Sequence, residues 1–556
     1  MRRKSYILLS LSVFSAGCAA IINQKGGDMR GRLWILLVGL LLALTGAVGI
    51  AQEPDARTLL QTSLKAMGGE NLKSITYSGT TGYVANVGQN YAPSSDWPAN
   101  QIVSYTRTID YEARSSKLDY TLRQGTGQGG PAGGGNAPTI TTPLIGEQRT
   151  IQMVSGNFAW NMNGTAVVPA PADAEQRQLE IWLTPHGCLR AALMPGANPI
   201  VITRNEQGKG RIRAVSFMAL GKYRVQCGIN DRNLVERIQT YFPNPVVGDL
   251  YYELVLTNYK DFGNGLMFPA TFHQHHDLDD DLEGEGVNVS GGHNSFGLTV
   301  ASVQVNPANA APMVPDAART ATIQPVRVES TKVADGFWYV GGGTHASMAV
   351  EFKDFVTVIE APLDEDRSLA VIAEVKKLIP NKPIKYLVST HHHWDHLGGV
   401  RAYVAQEGVT IVLQEDNHAY YAEVLTVKPW VLKPDRLALA PPEEVAEGYT
   451  FEKVGQKYAL TDGTKVMEVY NVQGLAHAQG MLMVYLPKEK IIVEADLFTP
   501  PAANTPLPTM VTPASRTFYN NVQRLKLDVT TIAPIHGGRT YPWADFARFV
   551  GSAATN

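Results

Sequence analysis

The chain has 556 residues, 44% of them apolar and 18% charged, with a formal net charge of −3. That length exceeds one ordinary core, so two folded domains are expected, and the composition excludes an intrinsically disordered chain. The small net charge speaks against a polyanionic partner such as nucleic acid.

Residues 1–51 read as a signal region. Arg2, Arg3 and Lys4 precede an apolar stretch over residues 7–20, and Arg30 and Arg32 precede a second over residues 33–51. Each has the positive-then-apolar layout of a secretory signal. The tandem is explained by translation from Met29 and cleavage after Ala51, with Gly49 and Ala51 as the required small residues. Two rivals stand beside it. Ser15-Ala16-Gly17-Cys18 resembles a bacterial lipoprotein cleavage box, and residues 33–50 reach the lower limit of about 18 apolar residues for a membrane span. All three place the chain outside the cytoplasm, periplasmic or secreted, with a membrane as partner only if the segment is retained or lipidated. Cys188 and Cys227 follow the signal region. In an oxidising compartment they can pair, and two separate buried thiols are the equal alternative.

After the signal, residues 56–67 read as a short amphipathic helix with Leu59, Leu60, Leu64 and Met67 on one side, stopped by Gly68-Gly69. Residues 52–306 then read as a β-rich antiparallel domain. Short alternating segments at 102–105, 117–122, 149–153, 211–218 and 251–257 are punctuated by Gly, Asn and Pro. Residues 125–135 form a glycine-rich loop. The opening of this domain, Ala66-Met67-Gly68-Gly69 followed by Leu72 and Ile75, resembles periplasmic lipoprotein-carrier half-barrels, which implies an apolar-binding or docking module. Residues 307–325, rich in Ala and Pro, are the linker. Beyond them strands at 337–340, 356–359, 384–389 and 409–413 alternate with helical segments such as 368–378, the pattern of α/β layering over residues 326–556.

The segment Thr390-His391-His392-His393-Trp394-Asp395-His396-Leu397-Gly398-Gly399 follows a buried strand and precedes a helix. In extended backbone His391 and His393 point one way, His392 and Trp394 the other. Asp395 and His396, at the turn into the helix, can face a second point nearby, and the glycine pair lets the helix start close by. His477, Asp496 and His536 each come at or just past the end of an apolar strand, where α/β loops converge on a cleft. This order resembles the metallo-β-lactamase superfamily, over residues 326–550. The resemblance implies an αββα sandwich with two divalent metal ions at the sheet edge. It gives His391, His393 and His477 to one ion and Asp395, His396 and His536 to the other, with Asp496 bridging. Imidazole and carboxylate donors without thiolate suit zinc first, and also iron or manganese.

The expected function is a binuclear metal-dependent hydrolase of a small-molecule substrate. Two ions about 3.5–4 Å apart share a hydroxide that attacks a carbonyl or phosphoryl centre, and Asp395 takes or guides a proton. Asp496 stands where the superfamily's true β-lactamases carry Cys or Ser, so an ester, lactone or thioester is expected before a β-lactam. A mononuclear-iron sulfur dioxygenase and an apolar-ligand binding protein are the further alternatives. His345, in the loop Gly341-Gly342-Gly343-Thr344-His345, is a candidate substrate contact, although a solvent-exposed loop histidine is the plainer expectation. His273, His275 and His276 before Asp277, Asp279, Asp280 and Asp281 read as a solvated acidic loop rather than a calcium site. Tyr519 is read as a packing residue.

Overall fold

The computed structural model describes residues 55–552 apart from 126–143, 145, 207–209, 264, 277–293, 427–428 and 442–447. Residues 1–51, expected to be a signal region, most of residues 125–135 and Asp277–Asp281 lie outside the described residues. Among the described residues no helix is long and apolar enough to cross a membrane.

The first helix, Ala56–Ala66, is N-capped by Asp55, whose carboxylate accepts from Thr58 N, and it ends before Gly68, at φ +66°. A Cβ on Gly68 would lie 2.3 Å from the Gly265 carbonyl oxygen, so only glycine allows this close return of the chain. A fifteen-stranded antiparallel sheet follows, from Ser74–Gly79 to Ser302–Val305. Its strands outrun the expected segments: Ala99–Asp110 and Gly248–Asp261 each extend well past the alternating stretch that announced them. Two helices that the β-rich reading did not anticipate, Ala174–Trp182 and Pro185–Leu193, pack on this sheet. Their Leu179, Trp182 and Leu189 join Phe217, Ile238 and Phe268 in one buried cluster. Pro185 opens the second helix at a position where its missing N–H is not needed.

Cys188 and Cys227 are joined by a disulfide within this half, both fully buried, 39 residues apart in sequence. Closing a loop of that length restricts the unfolded chain. Replacing both cysteines by alanine is therefore expected to remove about 2–4 kcal/mol of stability, read as a lower urea midpoint; an unchanged midpoint would refute it.

A buried histidine, His186, and a half-buried one, His276, give this half a pH dependence. Burial pushes His186 and His276 down to about 4, against the upward pull of the Met67 and Tyr251 carbonyls. The unfolded chain, with imidazoles near 6.5, takes up protons that the folded one refuses. Stability therefore rises with pH from about 4 to 6.5 and is lost as pH falls through that window. Each histidine is expected to take away ~2 kcal/mol by pH 5. Urea midpoints at pH 7 and pH 5 test this, and equal midpoints would contradict it.

The C-terminal half is a sandwich of two sheets. The first has seven strands in the order Glu329–Ala334, Phe337–Gly341, Ser347–Glu351, Val356–Ile359, Ile384–Val388, Thr410–Gln414 and Thr450–Val454; the last four run parallel. The second has six, from Lys457–Thr461 to Tyr541–Pro542, with Ile491–Glu494 parallel to Thr531–Pro534. Met348, Ile359 and Val388 of one sheet meet Val469, Val484 and Val493 of the other in the central layer. Helices Glu365–Leu378 and Val400–Glu407 cover the first sheet through Val371, Val375 and Val400. Pro513–Arg524 and Trp543–Ser552 cover the second through Phe518, Val522 and Phe546. The layers are αββα, a metallo-β-lactamase fold preceded by a β-rich region. The two halves share a core: Ala85, Trp97, Val246, Val247 and Leu250 pack with Trp338, Leu387 and Trp394 in one cluster. Residues 307–325 carry a short helix, Asp316–Thr320, against the strands Phe158–Asn163 and Ala166–Pro169.

Candidate metal centre

The strand Ile384–Val388 delivers the chain to Thr390, and a short helix, Trp394–Leu397, turns it back. A Cβ on Gly398 would fall 2.1 Å from the Leu363 carbonyl oxygen, so the glycine is what lets this turn lie flat on the neighbouring loop. As the alternation requires, His392 and Trp394 leave the centre. His392 Nε2 donates to the Asn90 carbonyl at 2.9 Å, and Trp394 Nε1 donates to the Tyr420 hydroxyl at 2.8 Å.

The other side chains converge as two groups. His391, His393, His477 and Asp496 form one; His345, Asp395, His396 and His536 form the other; within each, one donor atom per residue lies within 4.8 Å of all the rest. Asp496 faces both. Its Oδ2 is 2.9 Å from His477 Nε2, 3.3 Å from His391 Nε2 and 3.1 Å from His396 Nε2, while Oδ1 is 2.7 Å from His536 Nε2. In the second group His345 Nε2 and Asp395 Oδ2 are 3.3 Å apart, as are the His396 and His536 Nε2 atoms. Four donors at about 2.0–2.1 Å around a tetrahedral zinc stand roughly 3.3–3.4 Å from one another, so these spacings fit one ion per group. His393 Nδ1, fully buried and without a hydrogen-bond partner, is the kind of orphan that a cation satisfies.

Charge follows from this crowding. Burial works to raise Asp496, yet the surrounding imidazoles, His396 foremost, hold its carboxyl well below the usual range. Burial lowers His393 and His391 well below an ordinary imidazole, with neighbouring imidazoles adding to it, so both are neutral and their lone pairs are available. His396 goes the other way: burial opposes it, but Asp496 and Glu360 hold it well above its ordinary value.

Asp496 adopts φ +57°, a left-handed conformation that a non-glycine residue takes only where its surroundings enforce it. The enforcing group is Glu494, two residues earlier and fully buried, whose Oε2 accepts from Leu497 N at 2.9 Å and Phe498 N at 3.1 Å. Burial pushes Glu494 up to about 8 against the pull of those two N–H groups. Glu360 is the corresponding prop of the histidine-rich turn. It accepts from Thr390 Oγ1 at 2.6 Å and from His396 Nδ1 at 3.2 Å.

His345 corrects the expectation of an exposed loop histidine: it is 7% exposed. Its backbone bridges to His536, and Ala346 N donates to the Ile535 carbonyl at 2.8 Å. The buried Arg367 guanidinium donates to the Val340, Gly341 and His345 carbonyls, so the loop from Gly341 to His345 folds inward. Tyr519 stacks on Trp543, ring centroids 5.9 Å apart. Of the histidine cluster in the β-rich half, His273 bonds Asn294 Oδ1 and His276 bonds the Tyr251 carbonyl. The residues that sequence reasoning missed are Glu360, Glu494, Gln89 and Asn90. Gln89 Nε2 donates to Asp395 Oδ1 at 2.8 Å from 306 positions away, and no spacing signal could have found it.

A cavity of about 470 Å³ opens beside His477 and Asp496, walled by Leu475, Phe498, Met510, Pro513 and Phe549. It presents an apolar surface to whatever group lies next to the donor atoms.

Residues 340–536 match the model of the metallo-beta-lactamase superfamily, whose members are mostly hydrolases. The match does not extend to the β-rich half. Two curated relatives, both linear primary-alkylsulfatases of Pseudomonas species, are similar over short stretches: 40% identical over 60 residues, 11% of each chain, and 33% identical over 79 residues, 14% of this chain and 12% of the relative. The chain thus spans only about a tenth of the length of these relatives. A metallo-beta-lactamase from Pontibacter korlensis aligns over 41% of this chain and all of its own, at 20% identity and a TM-score of 0.31.

Proposed function

From a C-terminal region in the metallo-beta-lactamase superfamily we infer that the chain is a hydrolase that uses two divalent ions, zinc first, on an ester, lactone or thioester with an apolar group. The observation that carries this is the placement of Asp496, a member of one four-residue donor group, against His396 and His536 of the other, at the mouth of an apolar cavity. Bound ions would supply Lewis acidity and draw the pKa of coordinated water down towards neutral. His391, His393 and His477 would hold one, and His396 and His536 with Asp395 the other. His345 Nε2 offers a further donor to that second group, a role that fits its burial better than contact with substrate.

The chain's own residues supply orientation and proton handling. The apolar wall seats the non-reacting part of the substrate and excludes water from it. Asp395, with Oδ1 held by Gln89 and a third of its side chain exposed, is placed to accept a hydrogen bond from the attacking water and guide its proton to the departing oxygen or sulfur as the acyl bond breaks. The disulfide supports an oxidising compartment, in keeping with export through the N-terminal segment.

A second reading, sulfate-ester hydrolysis, is favoured by the local similarity to alkylsulfatases. The test is a panel of lactones, thioesters, aryl esters, β-lactams and alkyl sulfates on zinc-loaded protein, with metal analysis alongside. Turnover of carboxylic esters, lactones or thioesters with two ions per chain is expected. Turnover of alkyl sulfates alone would replace the first reading by the second. One iron per chain and no hydrolysis would point instead to sulfur dioxygenation.

A further inference from the structure

We propose that residues 86–91, a loop of the β-rich half, are a positioning strap for the metal centre, and that Gln89 sets the affinity of the second ion through Asp395; this rests on the two-ion reading above. The loop joins the strands Thr81–Ala85 and Ala99–Asp110. Four successive residues each grip a different piece of the centre. The Gly88 carbonyl accepts from Trp394 N at 3.2 Å, Gln89 Nε2 donates to Asp395 Oδ1 at 2.8 Å, the Asn90 carbonyl accepts from His392 Nε2 and His393 Nε2 at 2.9 and 3.0 Å, and the Tyr91 carbonyl accepts from Gln479 N at 2.6 Å.

These contacts have chemical consequences. A carbonyl only accepts, so His393 must carry its proton on Nε2, which leaves the lone pair on Nδ1, the buried atom of the first donor group. Gln89 occupies Asp395 Oδ1 and thereby turns Oδ2 towards His345 and His396. Partners of this kind fix the tautomer and rotamer of a ligand before the ion arrives.

The strap is itself stiff. Asn90 Nδ2 donates to the Pro93 and Ser95 carbonyls at 2.8 and 3.3 Å, and Gln89 N to the Asn86 carbonyl at 3.1 Å. Gly88 sits at φ +81° with the Trp394 ring 2.5 Å from where a Cβ would be, so the strap lies against the helix that carries Asp395. The halves do not need Gln89 to stay together, because Trp97, Val246, Val247 and Leu250 already bury that junction. Gln89 is therefore a positioning residue rather than interface glue.

The experiment is stepwise titration of metal-free full chain with zinc against a chromophoric chelator, and with cobalt(II) read by its visible spectrum, for wild type, Gln89→Ala and Gln89→Glu. Both variants are expected to bind the first ion as wild type does. Gln89→Ala should bind the second about 10–100-fold more weakly, with an altered cobalt spectrum for that site only. Gln89→Glu should be weaker still, since it sets a carboxylate against a carboxylate. The thermal midpoint of metal-free Gln89→Ala should match wild type. Wild-type affinity for both ions in Gln89→Ala, equal weakening of both, or a lowered metal-free midpoint would each overturn the strap. A wild-type chain that takes up fewer than two ions would overturn the two-ion reading, and the strap with it.

Discussion

Asp496→Ala is expected to lower metal content to one ion or fewer per chain and to cut kcat/KM on the best substrate by ~10³-fold or more, a loss of ~4 kcal/mol. The Asp496 carboxylate faces both donor groups: Oδ1 lies 2.7 Å from His536, while Oδ2 lies 2.9–3.3 Å from His477, His391 and His396. Its removal takes away the carboxylate that faces both groups, leaving imidazoles alone for one cation and Asp395 as the remaining carboxylate for the other, with less anionic charge to offset the repulsion between the two. Asp496→Asn keeps the volume but surrenders the charge, so it should recover fold and little metal. Elemental analysis of dialysed protein beside kcat/KM checks both. Full occupancy and activity in Asp496→Ala would remove the basis for two ions.

The second large effect falls on stability. Glu360→Leu is expected to destabilise the fold by ~3–5 kcal/mol, the range found when one partner of a buried charged network is deleted. Glu360 and His396 are both 0% exposed, and the carboxylate is the acceptor for His396 Nδ1 and Thr390 Oγ1. Leucine would leave both donors buried and unpaired. It would also have to adopt the left-handed backbone, φ +77°, that Glu360 takes between strand and turn. Glu360→Gln retains an acceptor for Thr390 and should recover part of the loss. Urea unfolding of the metal-free variants separates this from metal binding; a Glu360→Leu midpoint equal to wild type would mean that the carboxylate does not support the turn.

These two predictions draw on different sources. Asp496 was a candidate from the sequence alone, because it ends an apolar strand and stands in order among histidines. His391 and His393 were legible for the same local reason: two residues apart in extended chain, they must share a side, and His392 and Trp394 must not. Alternating strand and helix texture announced α/β layering, while the αββα arrangement was what the resemblance implied. Glu360, by contrast, carries no local mark; a glutamate after a buried strand is usually a solvated loop residue.

Thus the sequence by itself determined the donor types, their order and the local geometry of the histidine-rich turn, because side-chain direction along a strand is a short-range property of the backbone. Tertiary structure alone decided which distant groups meet. It drew His345 inward beside His536, set Gln89 and Asn90 against a turn some 300 positions later, placed Glu360 and Glu494 beneath the donors, and merged the cores of the two halves. Such meetings depend on how whole layers pack, where many weak contacts sum, and nothing in the spacing of one segment records where another will come to rest.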